Sequence, residues 1–195
     1  MDRKSRKRLR KEYNRLARKQ FERQRLLNRF AEPGPHSFIV VLDHLKPDFN
    51  IGKIFRTVDA LGGTAVYLVG TDFFHPAPAK GSFKWVPARF FDDFAACHAE
   101  LRRQGYHVFV LEPTNSTCLT ECRLPAKSAF VLGHEEFGIS FDKADYPNIA
   151  SLRIPQWGKV ESLNVSIAAA LVMYEYIRQH ATTPPPPAGD RHHHG

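Results

Sequence analysis

The sequence predicts an α/β domain built on a mostly parallel sheet and preceded by a basic helix. Three observations carry this. Short apolar runs rich in Val, Ile, Phe and Tyr alternate with segments of helical length from residue 38 to residue 179. The break Glu32-Pro33-Gly34-Pro35 sets that alternating region apart from what precedes it. The charge is one-sided: residues 1–29 hold 13 Lys/Arg and 3 Asp/Glu, net +10, which leaves 15 basic against 17 acidic groups, net −2, in the other 166 residues.

From Lys4 to Phe30 there is no Pro or Gly, and Arg, Lys, Leu, Gln and Glu favour helix. Residues 1–32 are therefore expected to form a helical arm. Its apolar residues, Leu9, Tyr13, Leu16, Ala17, Phe21 and Leu27, make a thin stripe, which predicts weak docking. Its cations suit a polyanion, whether RNA, DNA or an anionic membrane surface, and the narrow apolar face speaks against the membrane. The residues expected to meet phosphates are Arg3, Lys4, Arg6, Lys7, Arg8, Arg10 and Lys11.

In the domain expected over 36–180, the predicted strands are Phe38–Leu42, Ala65–Val69, Tyr106–Leu111, Ala129–Leu132 and Ala150–Ile154. The predicted helices are Ile51–Leu61, Phe91–Gln104 and Glu161–Gln179. From Val165 to Ile177 the last helix is apolar on nearly every side, so deep burial or a partner subunit must cover it. Residues 181–195 carry four consecutive prolines and three consecutive histidines, the pattern of an extended, mobile tail.

Several function classes are disfavoured. No run approaches the roughly 18 apolar residues of a membrane helix, and the start, Met1-Asp2-Arg3-Lys4, lacks a signal-peptide core, so the expected address is the cytoplasm. Three cysteines, Cys97, Cys118 and Cys122, read as free thiols, and Cys118-x-x-x-Cys122 has no second ligand pair for zinc, so no metal is expected. There is no Gly-x-Gly-x-x-Gly after a strand, no Gly-Lys-Ser/Thr loop and no Gly-x-Ser-x-Gly elbow.

The chain offers instead three polar and glycine-bearing clusters, each just after a predicted strand, at the edge where open α/β sheets bind ligands. The first runs from Asn50 through Gly52 and Arg56 to Gly62-Gly63; Asn50 is expected to cap its helix, and Arg56 falls off the stripe of Ile51, Ile54, Phe55, Val58 and Leu61. The second is Gly133-His134-Glu135-Glu136-Phe137-Gly138, whose glycines let backbone approach a ligand. The third, Ile154-Pro155-Gln156-Trp157-Gly158 to Ser162-Leu163-Asn164-Val165-Ser166, sets side-chain oxygens around the first turn of the apolar helix.

In this order the clusters resemble the three motifs of the SpoU (TrmH-like) RNA 2′-O-ribose methyltransferases of the SPOUT superfamily, over about residues 38–180. Lys80-Gly81-Ser82-Phe83-Lys84-Trp85-Val86 also resembles a loop of that family. The resemblance implies a deep trefoil knot at roughly 130–180, S-adenosylmethionine as cofactor, a homodimer and an RNA substrate, with tRNA slightly ahead of rRNA. It implies that Arg56 meets the ribose 2′-hydroxyl, as general base or as a cation stabilising the alkoxide. Asn50, Ser162 and Asn164 would hold that site, Glu135 would anchor Arg56 or the RNA, and the backbone of Gly133, Ile154 and Leu163 would frame the cofactor. Two positions depart from the family pattern: His134 stands where many members have a small residue, and Gln156-Trp157 replaces the usual Met-containing pair. A non-catalytic RNA-binding protein on the same fold is the competing reading.

Overall fold

A computed structural model describes residues 2–113 and 116–182; the side chains of Arg3 and Lys4 and the Pro/His tail from Thr183 onward lie outside the described residues. The elements are α1 (Arg3–Asn28), β1 (His36–Asp43), α2 (Phe49–Ala60), β2 (Gly63–Val69), β3 (Ala88–Phe91), α3 (Phe94–Arg103), β4 (His107–Leu111), β5 (Thr117–Cys118), β6 (Ser128–Leu132), β7 (Ala150–Arg153) and α4 (Val165–His180). The strands form one sheet in the order β3-β2-β1-β6-β4-β7-β5, and every pairing is parallel.

Parallel strands are buried on both faces, which is why β1, β2 and β6 read as unbroken apolar runs rather than alternating ones. One face buries Phe38, Val40, Leu42, Phe130 and Leu132 against α2 and α4. The other buries Ile39, Val41, Ala129 and Val131 against Phe94, Cys97 and Leu101 of α3, with Phe141 and Tyr146 closing over them. Burial pushes the Cys97 thiol up to about 12, which removes it as a nucleophile at neutral pH. Cys118 and Cys122 are also free thiols.

Several expected boundaries move. Phe91 ends a short strand, β3, instead of opening a helix; α3 begins at Phe94, where Asp93 caps it by accepting from Ala96 N at 2.8 Å. Helix α4 starts at Val165, four residues later than expected, because the preceding residues form loop and Asn164 is the cap. Asn50 is not the cap of α2: Asp48 is, accepting from Phe49 N at 2.8 Å, and Asn50 lies inside the first turn with its side chain free for other partners.

The arm is docked more firmly than its thin stripe predicts. Ala17, Phe21 and Gln24 are buried at spacings of four and three, one helical face. The Phe21 ring contacts those of Phe73, Phe74, Phe83 and Phe90, while Arg18 and Arg25 lie over Phe73 and Phe90. One turn on, Asn28 Nδ2 donates to Phe83 O (2.6 Å) and Val86 O (2.7 Å), and its Oδ1 accepts from Ala88 N at 3.0 Å. Leu9, Leu16 and Leu27, expected on the docking stripe, face solvent.

Candidate active site

Helix α2 is positioned by close backbone contact. A Cβ at Gly52 would stand 2.9 Å from Ala79 N and 3.2 Å from His75 O, so only glycine lets the loop after β2 lie against this turn. Ile51, Ile54, Phe55 and Val58 are buried beneath it, which turns Phe49, Lys53 and Arg56 outward at spacings of four and three.

The loop after β6 folds on itself. His134 N donates to Gly138 O (2.7 Å) and Gly138 N to His134 O (2.9 Å), while His134 Nδ1 accepts from Glu136 N (3.0 Å) and Phe137 N (3.3 Å). His134 therefore braces the turn, and its ring stacks on Phe137. At Gly133 a Cβ would come within 2.4 Å of the Gly138 carbonyl carbon, so that position admits no side chain without opening the turn. The loop is tied to β1 by Asp43, a fully buried carboxylate that accepts from Ser140 N (2.6 Å) and Ser140 Oγ (2.8 Å) and lies 2.8 Å from His44 Nδ1. Lys46 Nζ sits 2.9 Å from Glu136 and holds its carboxyl below the usual range.

One chain of hydrogen bonds joins all three sequence clusters. Asn50 Nδ2 donates to Glu135 Oε1 (3.1 Å), Asn164 Nδ2 donates to Asn50 Oδ1 (3.4 Å), and Asn164 Oδ1 accepts from Ser166 N (2.9 Å) and Ser166 Oγ (2.6 Å). Beside this chain, at the carboxyl ends of β4, β6 and β7, opens a cavity of about 640 Å³. Gly133, Glu135, Ile154, Ser162, Leu163 and Asn164 line it, with Val110, Leu111 and Phe137. Its size suits a nucleoside-like ligand, and its apolar floor with a polar rim can hold a flat ring and fix its orientation.

Of the residues singled out from the sequence, Asn50 reaches the cavity only through its bonds to Glu135 and Asn164. Arg56 is not part of its lining. It is exposed, six residues or about 9 Å along α2 from Asn50, and no hydrogen bond or ion pair engages it among the described residues. Glu135 is occupied by Asn50 and, at 3.4 Å, by Lys46 N rather than by Arg56. Arg6, Lys7, Arg8, Arg10 and Lys11 are exposed along the free half of α1; the Arg3 and Lys4 side chains lie outside the described residues. Sequence reasoning missed Asp43, Lys46, Ser140 and the cavity wall at Glu112-Pro113. A carboxylate ending the run Ile39-Val40-Val41-Leu42-Asp43 was the one available signal. Among the described residues, no group of three His, Cys, Asp or Glu is placed to hold a metal, and no helix is long and apolar enough to cross a membrane.

Open α/β sheets that bind ligands do so at this carboxyl edge, and the cavity places the chain in that broad class. More narrowly, residues 37–174 match the SpoU rRNA methylase family, and the chain belongs to it. A 23S rRNA (guanosine-2′-O-)-methyltransferase, RlmB, of Xylella fastidiosa is 32% identical over 151 residues, covering 75% of this chain and 60% of that protein. The crystal structure of the A. aeolicus TrmH/SpoU tRNA modifying enzyme superposes with a TM-score of 0.68 at 27% identity, covering 81% of this chain and 82% of that one. An AdoMet-bound rRNA methyltransferase from Sinorhizobium meliloti gives 0.66 at 25% identity, covering 79% and 60%. The chain spans about three fifths of the length of the curated relatives it matches.

Proposed function

We propose that this protein is an S-adenosylmethionine-dependent RNA methyltransferase acting on a ribose 2′-hydroxyl. The observation that carries the reading is the Glu135–Asn50–Asn164–Ser166 hydrogen-bond chain at the rim of the 640 Å³ cavity, where all three family motifs meet. S-adenosylmethionine, the cofactor bound in the S. meliloti relative, supplies an electrophilic methyl group when bound. The residues present fit it: Gly133, Ile154 and Leu163 line the cavity, with apolar Leu111 and Phe137 available to a purine.

The protein's task is alignment and charge management. Asn50 and Asn164, fixed by their mutual bond and by Glu135 and Ser166, hold the geometry at the rim, and Ser162 presents a hydroxyl there. Guanidinium groups stay protonated at neutral pH, so Arg56 is assigned the role of a cation that stabilises the oxygen while its proton passes to solvent water at the exposed rim, rather than that of a base. Because Arg56 lies outside the cavity of its own chain, we assign the working form to a homodimer in which this face of α2 meets the partner's cavity. The outward stripe of α4, Ile167 (52% exposed), Leu171 (41%) and Tyr174 (64%), supplies an apolar surface for association. The trefoil threading of residues 130–180 belongs to the same reading. The free half of α1 contacts RNA phosphates through Arg3, Lys4, Arg6, Lys7, Arg8, Arg10 and Lys11, and the likeness to a tRNA modifying enzyme favours tRNA.

Mass spectrometry of nucleosides from RNA incubated with the protein and labelled cofactor tests this. Labelled 2′-O-methylribose is the expected product. Cofactor and RNA binding with no transfer to any RNA from the source cells would instead identify a non-catalytic RNA-binding protein.

A further inference from the structure

Three elements meet at His75. Its ring, in the loop after β2, stacks on Tyr13 of α1 with 5.1 Å between centroids and 17° between planes, and it contacts Phe49 of α2 at 5.9 Å and Phe73 at 5.8 Å. His75 Nδ1 is buried without a hydrogen-bond partner among the described residues, so ring contacts rather than polar bonds hold this imidazole. Tyr13 and Phe49, which both contact it, stay about half exposed, at 49% and 45%.

The rings are flanked by cations on both elements. Arg6 and Arg10 precede Tyr13 by seven and three residues on α1, and Lys53 and Arg56 follow Phe49 by four and seven on α2, so each ring shares a helix face with two basic side chains. The nearest acidic neighbours in sequence are Glu12 and Asp48, and Asp48 is engaged as the cap of α2. Exposed aromatic rings interleaved with Arg and Lys suit a single-stranded nucleic acid, whose bases stack while its phosphates pair with the cations. Phe49 is also the residue next to Asn50 and stands about 10 Å along the helix from Arg56, a span of a few nucleotides.

We propose that Tyr13 and Phe49, braced by His75, form a stacking shelf for an unpaired nucleobase of the RNA, close to the nucleotide that Arg56 meets at the partner's cavity. The proposal rests on the RNA-methyltransferase reading and extends it to base contacts at a junction no sequence motif marks. Because stacking accepts any base, the shelf acts on affinity and on the demand for an unpaired nucleotide rather than on base identity.

The test uses the full chain and two short strands of equal length: an oligoadenylate carrying one 2-aminopurine, and an abasic ribose-phosphate strand with the same phosphates. The wild type should bind the base-bearing strand roughly tenfold more tightly than the abasic one and quench its fluorescence. The Tyr13→Ala/Phe49→Ala double variant should bind both strands equally, with the wild-type salt slope, and Tyr13→Phe should keep the preference. A preference for bases that survives in the double variant overturns the shelf. So does salt-dependent wild-type binding that ignores the bases. If the wild type binds neither strand in a salt-dependent way, the RNA reading itself falls and the shelf falls with it, a result distinct from the other two.

Discussion

Helices α2 and α4 lie side by side on one face of the sheet, are joined near their starts by the Asn164–Asn50 hydrogen bond, and expose stripes of identical spacing but opposite chemistry. On α2 the outward residues at i, i+4 and i+7 are Phe49, Lys53 and Arg56; on α4 they are Ile167, Leu171 and Tyr174. The inward faces do the same job, since Ile54, Phe55, Val58, Val172, Met173 and Tyr176 all enter one core. The difference teaches that burial alone does not explain either helix. The cations of the α2 stripe, Lys53 and Arg56, make no side-chain hydrogen bond or ion pair among the described residues and are available to an anionic substrate, whereas an apolar stripe left uncovered calls for another protein surface.

The comparison breaks most sharply at Arg56. Arg56→Ala is expected to cut methyl transfer by about a hundredfold to a thousandfold, the scale of losing one charge-stabilising donor, while cofactor affinity by calorimetry and the melting temperature stay near wild type. Arg56→Lys should fail as well, because a point charge does not reproduce a planar fork. Turnover within a few-fold of wild type would show the α2 stripe to be ordinary surface.

Deleting residues 2–12 removes Arg3, Lys4, Arg6, Lys7, Arg8, Arg10 and Lys11 but leaves the docked half of α1. RNA affinity at low salt should drop by about a hundredfold and its salt dependence should flatten, with association unchanged by light scattering. An unaltered salt slope would separate the arm from the α2 stripe.

For α4, Leu171→Glu places a charge on the apolar stripe and should give monomers in light scattering, with activity falling toward that of Arg56→Ala as the partner's Arg56 is lost from the site. A fully active monomer would make the stripe a bystander. The smallest effect separates capping from positioning at Asn164. Asn164→Ala should cost about 1 kcal/mol of stability, a shift of roughly 2–4 °C in thermal melting. Asn164→Asp keeps the acceptor for Ser166 N but loses the donor to Asn50, so it should recover the melting temperature without recovering activity.

The parallel sheet was legible because its central strands carry their burial in composition, with apolar side chains on both faces of β1, β2 and β6. Strand β3 was not, because Ala88-Arg89-Phe90-Phe91 is only four residues long, and the Asp92-Asp93 pair that ends it, with Asp93 capping α3, also reads as the first turn of a longer helix. Two capping-capable residues, Asp48 and Asn50, flank Phe49, the first residue of α2, and only backbone geometry selects Asp48. The docking of the arm was underestimated for a related reason. Much of its contact runs through Gln24 and Asn28, whose amides add nothing to an apolar stripe. At the site, the motifs gave most of the cavity wall, but sequence order does not reveal that Asn50 and Glu135 bond each other across 85 positions. Nor does it reveal that Arg56 lies apart from the cavity.

The Asn28 amide that clamps the arm has its partners 55 to 60 residues downstream. During synthesis at about 5–20 residues per second, the arm is therefore made some 3–12 s before Ala88 exists to receive it. For that interval α1 lacks the Asn28 clamp that seats it in the folded chain. A broad greasy face would be hazardous in that window, whereas the sparse pattern of Ala17 and Phe21 is tolerable until the ring cluster of Phe73, Phe74, Phe83 and Phe90 is in place. The thinness of the stripe is thus suited to an element that has to wait for its seat.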